Sequence, residues 1–329
     1  MPFENLTELA GPPIQAPVAT QDLHVVELPN SRRADPSTGS GAGHGGSGAV
    51  SSGGAPGGAN YDSVIGPTFT GSGGGAGVGS GTNALGGSGG GVVRLTVSGN
   101  LLVDGNLSAN GTPGIGLNSG GGSGGSVWLT AGTLSGSGRI TANGGAANGS
   151  GGGGGGGGRI ALYFGTNNFA GVVSAVGGGG FAWGGAGTIY LQPNIPVIFA
   201  PFPPLAGELI VDNGGPLGAT TPLTTVGSTV NLTVKGGAIA GPFNAPLSIR
   251  QLIVASNSWL LATNRPQVTA SVGATVLAGG GITADRAGSP GGQGSGAGGT
   301  LFSTIFGITG GGGGHGGFGS ASVPPWPFE

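Results

Sequence analysis

Three copies of one short phrase stand at an even step of 33 residues. LSANG begins at Leu107, ITANG at Ile140 and VSAVG at Val173, and long glycine runs fill the gaps between them. A fixed period in this range marks stacked units that share one continuous core, because a single unit cannot bury its apolar face alone. Each copy is preceded by a second recurring element. The triplets Val93-Arg94-Leu95, Val127-Trp128-Leu129, Ile160-Ala161-Leu162 and Ile189-Tyr190-Leu191 align as first strands. Strand alternation puts the outer members of each triplet on one face and the middle member on the other. The expectation is one buried column of Val93, Val127, Ile160 and Ile189, and a second of Leu95, Leu129, Leu162 and Leu191. The second strands add a column of Leu107, Ile140 and Val173 and a small one of Ala109, Ala142 and Ala175. Asp104-Gly105 supplies a tight-turn signal between the two strands of a unit.

Composition on its own would argue for disorder. The chain has 329 residues, of which 85 are glycine and 23 proline, above the level usual for low-complexity chains. Yet only 6% of residues are charged, the formal net charge is −2 and the mean hydropathy is +0.21. Disorder ordinarily comes with low hydropathy and high net charge. The expected fold class is therefore all-β: solenoid-like or layered β-sheet repeats with glycine-rich, polyglycine II-like loops packed on one side. Ordered glycine loses about 0.5–1 kcal/mol more than alanine in backbone entropy, so the runs either stay mobile as linkers or irregular loops or gain a compensating contact. Bare chains such as the octet at 151–158 can lie side by side in the threefold polyproline-II conformation and exchange backbone contacts.

Five regions follow. Residues 1–36 form an extended arm, rich in carboxylates and proline, with one candidate strand at 21–28. Residues 37–91 are a Gly/Ser-rich segment that composition alone reads as a flexible linker. Residues 92–193 are the glycine-rich β repeats. Residues 194–280 are β-rich, with candidate strands at 208–211, 229–234, 249–255, 259–262 and 268–277, and either continue the stack or form a second sheet. Residues 281–329 hold a final glycine-rich repeat, opened by ITAD from Ile282, and an apolar tail. No stretch reads as a helix.

The phrases at 121–145 (GGSGGSVWLTAGTLSGSGRITANGG), 151–165 (GGGGGGGGRIALYFG), 184–192 (GGAGTIYLQ) and 207–215 (GELIVDNGG) resemble a glycine-rich repeat of large, mostly bacterial, cell-surface and secreted proteins. The composition is also similar to polyglycine-II folds in some phage tail-tip adhesins and an arthropod antifreeze protein. The resemblance implies an extracellular or cell-surface, non-enzymatic setting and carries no catalytic residue onto this chain. Residues 1–21 show neither the basic nor the apolar stretch of a signal peptide.

Few residues point to chemistry. Five of the eleven carboxylates (Glu4, Glu8, Asp22, Glu27, Asp35) lie in the arm, and Asp104, Asp212 and Asp285 are isolated, whereas a glycosidase needs acids converging on one face. No enzyme activity and no cofactor are expected. His24, His44 and His315 lack a second ligand at metal spacing and read as incidental. The single lysine, Lys235, and eight arginines give no nucleic-acid footprint, and residues 195–207 are too short and proline-rich to span a bilayer. The sequons at Asn5, Asn106, Asn148 and Asn231 are no more than such a composition yields by chance. The expected partner is another copy of the chain, with a glycan or cell-surface ligand as the alternative. For assembly the candidate residues are Gln21, Leu23, Val25, Val26 and Leu28, which could add as a strand to a neighbour. For a ligand they are Arg94, Trp128 and Tyr190, the middle members of the triplets, whose face is either exposed or covered by the glycine layer as a second core.

Overall fold

Parallel pairing converts the 33-residue step into a register. The computed structural model describes residues 38–78, 85–194, 205–223, 227–243, 245–262 and 267–285, with 293, 295, 297–298, 300–303, 307–310 and 313. These belong to one unit, Arg33–Glu329. All named elements are strands, and no helix occurs among the described residues.

In the first half, long strands alternate with short ones: β1 (Val92–Leu102), β2 (Asn106–Ser108), β3 (Ser126–Gly136), β4 (Arg139–Thr141), β5 (Arg159–Phe169), β6 (Val172–Ser174) and β7 (Thr188–Pro193). The long strands pair in parallel, setting Val93 beside Val127, Val127 beside Ile160 and Ile160 beside Ile189. The short strands form their own parallel sheet with Leu107, Ile140 and Val173 in one row. The expected columns therefore exist, and Val127, Leu129, Ile160 and Leu162 are sealed between the two sheets with Ala109, Ala142 and Ala175. The columns open at the first unit: Val93 is half-buried and Leu95 is 36% exposed, against 1% for Leu129. Among the described residues no strand precedes β1 in the sheet to cover it.

The second half continues the same sheet. It comprises β8 (Gly207–Asp212), β9 (Thr220–Leu223), β10 (Val230–Lys235), β11 (Ile239–Phe243), β12 (Leu247–Val254), β13 (Trp259–Leu261), β14 (Val268–Val276) and β15 (Gly281–Thr283). The eight-stranded sheet runs β1-β3-β5-β7-β8-β10-β12-β14, and a four-stranded sheet runs β15-β13-β11-β9. All pairs within each half are parallel; the join of β7 to β8 is antiparallel. At that join the partner sheet changes sides. Tyr190 pairs with Leu209, and both belong to the core that Leu232, Leu252 and Leu260 build in the second half. Ile189, one residue away, belongs to the core of the first half. Beyond these sheets, β16 (Thr300–Ser303) and β17 (Gly307–Gly310) pair antiparallel. The strands expected in 194–280 are present, and β9 and β11 are additional; both are short and carry proline (Pro222, Pro242), which masks their strand character.

Each glycine excursion leaves after a short strand and returns at the next long one, so successive runs emerge from the same corner. Their hydrogen bonds repeat every three residues. In the octet, Gly153 and Gly156 donate to Gly39 and Ala42, Gly154 and Gly157 to Ala182 and Gly185, and Gly155 and Gly158 to Gly145 and Ala142. One chain thus bonds three neighbours in three directions, the pattern of a threefold polyproline-II conformation. Each such bond contributes about 0.5–1.5 kcal/mol net, which offsets the glycine entropy of about 0.5–1 kcal/mol per residue. Residues 38–49 and 70–75 are members of this layer: Ala42 donates to Gly121, Gly45 to Gly157 and Gly75 to Ser40. The segment 37–91 is thereby no linker over its described part. Its bonding partners come from remote runs, which composition does not reveal.

A buried histidine, aspartate and arginine beneath the glycine layer

The first residue of each inner long strand is polar. Ser126, Arg159 and Thr188 open β3, β5 and β7 and stand side by side in register. All three are fully buried, because residues 38–70 lie over them. Arg159 donates from Nε to the Tyr61 carbonyl at 2.9 Å and from Nη1 to Thr188 Oγ1 at 3.1 Å. Its Nη2 has no partner.

Asp62 faces this row from a tight loop, with a left-handed φ of 72°. Its Oδ1 accepts the Ser63 amide at 2.7 Å; its Oδ2 accepts the amides of Thr68 and Phe69 at 2.9 and 3.0 Å and the Ser126 hydroxyl at 3.2 Å. His44 completes the cluster. Its Nδ1 lies 2.9 Å from the Gly124 carbonyl, which can only accept, so Nδ1 carries the proton. Its Nε2 stands 3.4 Å from Asp62 Oδ2. In a neutral imidazole that nitrogen offers a lone pair to a carboxylate, which accounts for the long separation. The His44 ring also packs at 4.6 Å on Tyr61, whose hydroxyl donates to the Thr70 carbonyl at 2.6 Å.

Burial and, next, the positive Arg159 push the His44 imidazole below its ordinary value of 6.5; the Gly124 carbonyl and Asp62 pull the other way and lose. Burial acts to raise the Asp62 carboxyl, but the amides of Phe69, Ser63 and Thr68 outweigh it and hold the group below the usual carboxylate range. Burial lowers the Arg159 guanidinium to about 10, with Asp62 opposing, so it stays charged at neutral pH. The unfolded chain thus takes up the His44 proton more readily than the folded one. Stability from this residue is fully present above the ordinary histidine value and is lost as pH falls through it toward the lower folded value. Asp62 adds to the loss further down, as pH falls through its own depressed value. The urea midpoint is expected to fall between pH 7 and pH 5, and His44→Gln is expected to flatten that slope; an unchanged slope in the variant would assign the effect elsewhere.

The arrangement ties the 38–70 segment to the sheet. The His44 and Arg159 side chains are fully enclosed and that of Asp62 is 2% exposed. No group of three histidine, cysteine or carboxylate side chains that could hold a metal occurs among the described residues. Sequence reasoning treated His44 as incidental and passed over Asp62 and Arg159. The available signal was the polar residue one place before the second, third and fourth triplets, at Ser126, Arg159 and Thr188.

The ligand candidates share one face, as alternation requires: Arg94 pairs with Trp128, Trp128 with Ala161 and Ala161 with Tyr190. They do not form an exposed ladder. Tyr190 is buried in the second-half core and its hydroxyl bonds Gln192. Trp128 is half-buried beneath Gly66, with its indole N–H unpartnered. Arg94 alone is exposed, its guanidinium 4.2 Å from the centre of the Trp128 ring. Tyr163, which sequence reasoning omitted, bridges the two rings at 6.4 and 5.9 Å and donates to the Ile65 carbonyl. The 61–66 segment therefore covers this face as a second core. Gln21, Leu23, Val25, Val26 and Leu28, like His24 and His315, lie outside the described residues.

No protein-family model, curated protein or solved structure matches the chain. Among the described residues no helix is long and apolar enough to cross a membrane.

Proposed function

We propose that the chain is a non-enzymatic structural protein of the cell exterior that self-associates into a fibre or surface layer. The observation that supports this reading is that, among the described residues, no further strand covers either end of the stack. Leu102 in β1 is 66% exposed and Val272 in β14 is 63% exposed, and a solenoid end that is not capped polymerises. The polar cluster is compatible with such a role, since it fastens the glycine layer to the sheet. In this reading the arm at 1–36 reaches a neighbouring copy and adds residues 21–28 as a strand.

An adhesive role is the second reading, and one observation favours it. Val78, Leu85, Ile115 and Leu117 are exposed at the turns of the glycine runs and are joined by backbone bonds: Val78 donates to Leu117, and Ile115 to Leu85. Apolar side chains gathered at loop tips are a common form of contact surface.

Electron microscopy of the full chain and of a chain lacking residues 1–36 tests both readings. Filaments or sheets of the full chain that shorten or vanish on deletion are the expected result. Filaments of normal length would remove the arm as the tether. Single particles that carry a glycan on an array would favour the adhesive reading.

A further inference from the structure

The eight-stranded sheet ends on β1 at one side and β14 at the other, and among the described residues no strand pairs with their outer edges. Natural sheets usually guard such edges with lysine, proline or inward charges. β14 (VTASVGATV) carries neither a charge nor a proline. β1 carries a single charge, Arg94, and that guanidinium is engaged with the Trp128 ring. Both edges have a bulge, between Val97 and Asn100 in β1 and opposite Ile249 and Gln251 in β14. The bulges divide the edges into regular runs, 92–97 and 100–102 in β1 and 268–270 and 273–276 in β14, of which 92–97 and 273–276 are the longer.

The two edges also match in direction. β1 runs parallel to β7, β14 runs parallel to β8, and β7 is antiparallel to β8. β14 is therefore antiparallel to β1. A second copy set on the end of the first in the same orientation would bring its β1 against β14 as an antiparallel neighbour. The chain already makes such a join once within itself, with only three residue pairs: Ile189 with Ile210, Tyr190 with Leu209 and Leu191 with Glu208. The regular runs at the two outer edges are long enough for as many.

We propose that β14 of one copy pairs antiparallel with β1 of the next, so that one sheet continues from copy to copy. The inference rests on the self-association reading but not on the arm. The contact is heterologous, and copies that repeat in the same orientation build an open filament. The exposed apolar side chains at the two ends, Leu95 in β1 and Val276 in β14 among them, then acquire the cover that Leu129 and Val254 have inside.

The chain has no cysteine, so introduced thiols report directly. Antiparallel neighbours have Cα atoms about 4.5–5.5 Å apart, within the disulfide range of about 4.4–6.8 Å. Leu95→Cys, Thr96→Cys, Ala274→Cys and Thr275→Cys sample both faces of the two edges at exposed positions. Under mild oxidation, dimers are expected from mixtures of a β1 variant with a β14 variant. A chain carrying one of each is expected to give a ladder of dimers, trimers and higher species on non-reducing gels. Dimers from a β1 variant alone would show a head-to-head join and overturn the proposal. So would an absence of disulfides in every pairing while light scattering shows that the variants still associate; that result leaves the self-association reading intact. A native chain that stays monomeric at every concentration ends both.

Discussion

Gly154→Ala is expected to cost about 3 kcal/mol, the upper part of the range for overpacking a tightly packed interior. A methyl group at this position would lie 1.8 Å from the Gly178 carbonyl oxygen, and what it meets is backbone, which cannot rotate away. The neighbouring runs are bonded on several sides, so relieving the clash displaces more than one chain. Gly99, in β1, is the matched control: a Cβ there meets nothing within 4 Å, and its φ is not in the left-handed region. Gly99→Ala is expected to be neutral or to stabilise by about 0.4–1 kcal/mol, by narrowing the unfolded ensemble. Urea midpoints of the two variants read the difference. Equal midpoints would mean that the glycine runs do not pack as described.

Arg159→Leu is expected to be as damaging, about 3–5 kcal/mol, the usual result of removing one member of a buried charge network. The substitution deprives the Tyr61 carbonyl and Thr188 Oγ1 of their donors and leaves the Asp62 carboxylate enclosed without its attracting cation. Adding Asp62→Asn to the leucine variant is expected to cost less than the sum of the two single changes. A coupling of about 0.5–3 kcal/mol is usual for residues of one network. Strict additivity in thermal or urea unfolding would mean that the two charges do not act together.

The repeat region was legible because its signal is periodic. A step of 33 residues sets Leu107 beside Ile140 and Ile140 beside Val173, and the pairing follows that step. Alternation then assigned Val127 and Ile160 to the core and placed Arg94, Trp128 and Tyr190 on the other face. What covers that second face was not legible. The cover comes from 61–66, nearly a hundred residues from Tyr163 in sequence, in a segment whose composition resembles a linker. The polar cluster was hidden for the same reason, since His44, Asp62 and Arg159 come from separate regions and share no spacing. The antiparallel join and the change of sides at β8 have no periodic signature either, because they occur once.

Glycine runs bonded every third residue have a length that is quantised. One added residue turns every donor beyond it by about 120° about the chain axis, away from its carbonyl and toward the wrong neighbour. Three added residues restore every direction and merely lengthen the spoke. Viable insertions and deletions within these runs should therefore come in threes, a reading frame imposed by backbone geometry and not by the genetic code.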